Sequence, residues 1–288
     1  MKKIALLFLT IDNHEQPEIW NKFLKDNKFF NIYCHPKYPN TVTHPFLKKN
    51  IIKTLSATSW GHLVLGYYNL LEAAYKNKDN YKFVYLSNSC IPIKSAAIVY
   101  NELIINNATY ADTRQKLNKW DIENRYKKHS NLLNKYNITK FNFIKHSGWF
   151  VLNRQHAQVL LDHKILFKYF NKIKAGDENI LSILKANQMK IQERIITCVK
   201  WDNISYFKYI KEKKKLWELH DATTDKEKKN KIQKIINKKK KDVLKKVSHP
   251  ECYSKLTQKE INEFKNDNCL FMRKVNSKCN IDLIYNTI

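Results

Sequence analysis

Glycine is scarce in this chain, with four in 288 residues. That excludes a glycine-rich phosphate cradle, and neither the dinucleotide-binding nor the Walker-type glycine string occurs. Arginine is scarcer than the charge suggests: only Arg114, Arg125, Arg154, Arg194 and Arg273 stand among 53 basic residues. No run of about 18 apolar residues exists, so no membrane span is predicted. The six cysteines contain no CxxC pair and have no histidine at zinc-finger spacing. The ten histidines form no HExxH string, so no metal site is expected.

What is abundant is lysine. The formal net charge is +27. Nucleic-acid surfaces rely on arginine forks for phosphates and bases, and those are nearly absent. A Lys-, Asn- and Ile-rich chain also matches the product of an AT-rich genome, which makes much of the charge composition rather than function. Long-range attraction of anionic substrates is the second reading, and true nucleic-acid binding the third. At 43% apolar and 12% aromatic, the chain is globular rather than disordered.

The start, Met1 to Thr10, is too brief and too soon followed by Asp12 and His14 to read as a signal peptide. It reads as a buried first strand over Ile4–Thr10, with Thr10 and Asp12 at its carboxyl end. Pro17 opens an amphipathic helix carrying Trp20, Phe23 and Leu24. Phe30–Cys34 is a second strand, and a helical pattern runs from His62 to Tyr75. Lys82–Leu86 is a third strand, leading into the polar turn Ser87-Asn88-Ser89-Cys90-Ile91-Pro92. In open α/β sheets ligands bind at such strand ends. Ser95 caps a helix to about Ile105. Phe141–Ile144 and Gly148–Leu152 read as a strand pair, followed by a helix over Gln155–His163. This alternation predicts an α/β fold in one domain over residues 1–288. The Lys-rich stretch at about 211–246 reads as a solvated helical excursion or a flexible insert.

Two segments carry candidate chemistry. Asp177-Glu178 is a carboxylate pair after a glycine turn. Cys269 to Lys274 is an apolar run ending in the cations Arg273 and Lys274. A carboxylate can take a proton from an attacking hydroxyl, and cations can stabilise a departing diphosphate.

Several stretches, in order, resemble one family. They are Leu7-Phe8-Leu9-Thr10, Ser59-Trp60-Gly61, Val84 to Pro92, Ser147 to Arg154, Asp177-Glu178 and Cys269 to Lys274. Together they are similar to the core-2/I-branching β-1,6-N-acetylglucosaminyltransferases, especially the plant-type branch. The resemblance implies a GT-A-like fold, a mostly parallel central sheet flanked by helices. It also implies inversion at the anomeric carbon, a UDP-sugar donor such as UDP-N-acetylglucosamine, a glycan or glycoprotein acceptor, and no metal cofactor. The chain has no DxD string, the usual metal clasp of GT-A enzymes, and Ser87-Asn88-Ser89-Cys90 occupies that turn.

The resemblance makes Glu178 the base, with Asp177 orienting its loop or capping a helix from Asn179. It sets Lys274 against the donor diphosphate. A second family cation, near His249-Pro250, has no match here, Lys255 and Arg273 being the nearest substitutes. Thr10 and Asp12 are candidate donor contacts. Asp112, Arg125, Trp149 and Trp201 are candidate acceptor contacts, although the spacing of Asp112 and Arg125 departs from the family's. Trp60 is expected to pack a helix start, Cys90 to be a buried thiol, and Cys252 to pair with Cys269. The expected compartment is the cytoplasm, with no nucleic-acid partner. The rival readings are a basic non-catalytic polyanion-binding protein and a degenerate glycosyltransferase.

Overall fold

The computed structural model describes residues 1–25, 28–201, 203–247 and 250–285. His249 therefore lies outside the described residues. The chain divides into two compact units: residues 1–198 with 254–288, and residues 199–253.

The strands are β1 (Lys3–Thr10), β2 (Phe30–Pro36), β3 (Asn80–Ser87), β4 (Ile91–Pro92), β5 (Thr109–Ala111), β6 (Val151–Asn153), β7 (Ile191–Glu193), β8 (Thr197–Val199), β9 (Tyr253–Lys255), β10 (Phe271–Arg273) and β11 (Val275–Asn280). Six of them form the central sheet in the order β2-β1-β3-β6-β5-β7. β1 runs parallel to β2 and β3, and β5 parallel to β7. Only β6 is reversed, antiparallel to both β3 and β5. The layout is the mostly parallel α/β sheet expected.

β1 is central because its sequence permits little else. Ile4 to Phe8 are completely buried, and a continuous apolar run is stable only where both faces of a strand are covered. The helix Val64–Tyr75 covers one face. Its Tyr67, Leu70, Leu71 and Ala74 join a core with Leu7, Phe83, Tyr85 and Phe150. The helix begins two residues later than the expected His62, because Ser59 and His62 instead pair across a tight turn. Ser95 does cap its helix, accepting the Ile98 N–H at 3.4 Å.

The expected strand Phe141–Ile144 does not form. Those residues are turn and irregular chain, and Phe141 is 97% exposed. Of the predicted pair only the second member exists, shifted to Val151–Asn153. Its partners are β3 and β5 rather than a neighbouring hairpin strand.

The second unit contains the helices Asn203–Ala222 and Lys226–Val247. Tyr209 and Ile236 are buried in it, and Lys239 pairs with Glu212 at 2.8 Å. The Lys-rich stretch at 211–246 falls within this hairpin. No described helix is long and apolar enough to cross a membrane.

The cysteine expectation is corrected. Cys198 and Cys269 form a disulfide, and Cys252 is a free, exposed thiol. The reason is the small sheet β4-β10-β8. The Leu270 and Phe271 N–H groups both donate to the Ile196 carbonyl, which sets Cys269 beside Cys198. Replacing both residues by serine should lower the unfolding free energy by about 2–4 kcal/mol. Urea denaturation of the double variant measures this, and the wild-type chain in reductant should shift in the same direction.

Candidate active site

Topology gathers several candidate segments of the first unit at one end of the central sheet. β1 ends at Thr10, and β3 ends in the Ser87–Cys90 turn. β6 is reversed, so the residues before it run alongside the carboxyl-terminal end of β3, with the Tyr85 N–H donating to the Phe150 carbonyl at 3.2 Å. β10 pairs with β4 directly after the turn, Met272 opposite Ile91. The Val275 N–H donates to the Ser89 carbonyl at 3.1 Å, which lays the chain after Arg273 over the turn.

The Arg273 guanidinium then stacks on Trp149, 4.4 Å from the ring centroid. Burial pushes the Cys90 thiol's pKa up, and the nearby Arg273 charge opposes the rise. Cys90 thus packs as a buried thiol. Lys274, the next residue, is exposed.

The carboxylate turn reaches the same region from the other side. Gly176–Glu178 is a single tight helical turn entered through Ala175, whose φ is 54°. Glycine is required at position 176: a Cβ there would sit 2.1 Å from the Phe170 carbonyl oxygen. The His146 N–H donates to the Glu178 carbonyl at 2.8 Å, tying the turn to the segment that leads into Trp149. At Gly148 a Cβ would lie 3.6 Å from the Asp177 carboxylate and 3.0 Å from the Tyr67 hydroxyl. That hydroxyl donates to the Gly148 carbonyl at 2.9 Å. Tyr67 lies in the fields of both Asp177 and Arg273, so the carboxylate turn and the cationic strand share one buried neighbour.

The two carboxylates have different surroundings. Glu178 is one-third exposed and belongs to a closed ring of four alternating charges. Arg125 reaches Glu178 at 2.9 Å and Asp121 at 3.3 Å. Lys145 reaches Asp121 at 3.5 Å and Glu178 at 3.9 Å. Asp121 is 1% exposed and is held by a capping box with Asn118. Arg125 also donates to the Asn179 side chain at 3.3 Å. Arg125 is therefore buried against Glu178 and Asp121.

Asp177 is buried, and one of its oxygens has no hydrogen-bond partner. Its pKa is pushed up to about 6, first by burial and then by the neighbouring Glu178. The expected helix cap is absent. The next helix begins at Ser182, and no side-chain cap bond is made there.

The remaining candidates are held by local contacts. The Thr10 hydroxyl donates to the Asp12 carbonyl at 2.9 Å, so it braces its own loop, and Asp12 is half-buried beside it. Asp112 accepts the Ser147 N–H at its carbonyl, while its carboxylate pairs with Arg114 at 3.0 Å. Trp201 is 44% exposed and belongs to the second unit. Lys255 is exposed. Among the described residues, no group of three or more His, Cys, Asp or Glu side chains gathers as a metal site.

Sequence reasoning missed Asp121, Lys145 and Tyr67. Asp121 had a signal, since Asn118-x-x-Asp121 is a capping box and Asp121 stands four residues before Arg125. Lys145 and Tyr67 had none. Trp60, expected to pack a helix start, is 68% exposed instead.

The family model described as Core-2/I-Branching enzyme matches residues 4–224. A curated relative, glycosyltransferase BC10 of Oryza sativa subsp. japonica, is 23% identical over 179 residues. That alignment covers 59% of this chain and 43% of the relative, so the chain spans less than half of that protein's length. Among solved structures, the galactosyltransferase LgtC in complex with donor and acceptor sugar analogues is similar at 9% identity. The match covers 67% of this chain and 75% of that one, at a TM-score of 0.35.

Asp177 gives a test by pH. Between its ordinary pKa of 3.8 and about 6 the unfolded carboxyl has lost its proton while the folded one keeps it. The wild-type chain therefore loses stability as pH rises through that window, and above it the full cost of burying the charge is present. Asp177→Asn should be the more stable protein at pH 7.5 by up to about 3 kcal/mol. The gap should close towards pH 4, as read by thermal unfolding across the range.

Proposed function

The chain belongs to the core-2/I-branching enzyme family, and from that membership we propose that it is a metal-independent, inverting glycosyltransferase. It transfers a sugar from a UDP donor, N-acetylglucosamine in the first instance, to a hydroxyl of a glycan or glycoprotein acceptor.

The reaction is one in-line displacement. The acceptor oxygen forms a bond to the anomeric carbon as the bond from that carbon to the diphosphate oxygen breaks. The acceptor proton passes to Glu178, and UDP departs with the bonding pair. A hydroxyl attacks poorly while it keeps its proton, so a fixed carboxylate within hydrogen-bond reach lowers the barrier. Orientation contributes as well, because a base held in one rotamer spends no entropy at the moment of reaction. Charge developing on the diphosphate is met by Lys274, with Arg273 beside it. Asp112, Trp149 and Trp201 remain acceptor contacts by resemblance. Arg125 acts on the acceptor indirectly in this scheme, by positioning Glu178.

The observation that carries the reading is the charge ring. It holds a one-third-exposed glutamate between Arg125 and Lys145, and the Glu178 carbonyl, accepting the His146 N–H, ties the turn to the segment that leads into Trp149. A carboxylate needed only at a surface would not require a buried Asp121 and two cations behind it. Metal independence rests on the residues of the Ser87–Cys90 turn, which offers hydroxyls, an amide and a thiol but no carboxylate. The expected cytoplasmic location has to be reconciled with the Cys198–Cys269 bond, since such bonds persist in oxidising surroundings.

Glu178→Gln should reduce transfer at least about a hundredfold while leaving UDP affinity unchanged. Acceptor-dependent UDP release and calorimetric UDP titration read the two quantities. Turnover within a few-fold of wild type would remove Glu178 from the role of base. In the same assay, EDTA should leave the rate unchanged, and a strict requirement for added manganese would contradict the reading.

A further inference from the structure

Trp60 is 68% exposed, and what sets it apart is how firmly its turn is held. It is not loosely placed. Ser59 and His62 pair across the turn that carries it, with the His62 N–H donating to the Ser59 carbonyl at 2.9 Å. Gly61 takes a φ of 81°, which lets the turn close tightly behind the ring. The Gly61 carbonyl then accepts the Ala175 N–H at 2.7 Å. His62 hydrogen-bonds the Asn171 carbonyl through Nδ1 at 2.8 Å. Both bonds fasten the turn to the 171–178 loop, the one bearing Asp177 and Glu178. His62 also lies within the field of Asp177. The Lys174 ammonium sits 5.0 Å from the Trp60 ring centroid and adds a cation–π contact from the same loop.

We propose that Trp60 is a sugar-binding platform, a subsite that takes the apolar face of a pyranose ring of the acceptor. The chemistry of that face favours it. A pyranose presents axial C–H groups on one side, and these stack on the large flat surface of an indole. Lys174, at the ring's margin, can donate to sugar hydroxyls or to an anionic substituent. The turn is held by backbone hydrogen bonds, so the ring is pre-organised and little ordering entropy is lost on binding. The acceptor role rests on the transferase reading given above; the binding of a pyranose does not.

The test therefore reads binding apart from turnover. Saturation-transfer difference NMR on the whole chain, with the methyl β-pyranosides of galactose, N-acetylgalactosamine and xylose as probes, reports which sugar protons touch the protein. The wild-type chain should saturate the C–H protons of one ring face of at least one probe. Trp60→Ala should weaken that probe's affinity about tenfold or more, and Trp60→Phe should restore most of it. UDP affinity should be the same in all three proteins. Alanine-variant binding equal to wild type overturns the proposal, and so does the absence of any pyranoside signal from the wild-type chain. If pyranoside binding depends on Trp60 but no UDP-sugar is turned over, the platform stands and the transferase reading falls. If transfer occurs and Trp60→Ala leaves the acceptor KM unchanged, the platform falls and the transferase reading stands.

Discussion

The arrangement depends on a ring of four charges. Asp121, Arg125, Glu178 and Lys145 alternate in sign and close on themselves, so every member has two opposite neighbours. Partly buried ions lose hydration that a single partner seldom restores, and a ring restores it twice over. The net charge of the ring is zero, so it can sit partly inside the protein. Its only substantially open corner is Glu178. The other three members look structural in isolation, yet their common effect is to hold one carboxylate in one orientation. Asp177, next to it, has no such relief and holds its proton to higher pH.

The sheet explains how such distant segments meet. A single reversed strand, β6, delivers the Ser147–Trp149 segment to the end where β1 and β3 stop. The short β4–β10 pairing then brings Arg273 onto the Ser87–Cys90 turn from the far end of the chain. The chain's few glycines mark these approaches. At Gly176 a methyl group would collide with the Phe170 carbonyl, at Gly148 one would crowd the Tyr67 hydroxyl, and Gly61 stands where the Trp60 turn takes a positive φ. In a sequence so poor in glycine, their positions map the crowded ground around Asp177.

Much of the first half was legible from pattern. Ile4–Thr10, Phe30–Cys34 and Lys82–Leu86 are unbroken apolar runs, and buried parallel strands need little else. The carboxylate turn and the Arg273 strand were legible as pieces because acids after a glycine and paired cations are conspicuous. Their neighbours were not. Lys145 lies in irregular chain and acquires its meaning only from Asp121 and Glu178, residues far from it in sequence. Phe141–Ile144 has strand-like residues but no partner strand to hold them, so it stays a turn. Trp60 follows a serine before a helix, a pattern that suggests packing, and only the Ser59–His62 pairing turns it outward. The cysteine error has the same origin, since Cys198 and Cys269 become neighbours through β8 and β10.

That disulfide has a consequence for how the chain can vary. Its two sulfurs stand on either side of residues 199–253, so the whole lysine-rich hairpin hangs from a covalent staple. A protease that nicked the hairpin would leave a single cross-linked molecule, with β8 and β10 still joined. Lengthening, trimming or replacing the hairpin would alter the size of a closed loop, and that cost grows only slowly with residue number. The link between β8 and β10 thereby stays closed whatever the length of the two helices over residues 203–247, which leaves those helices free to be exchanged as a module.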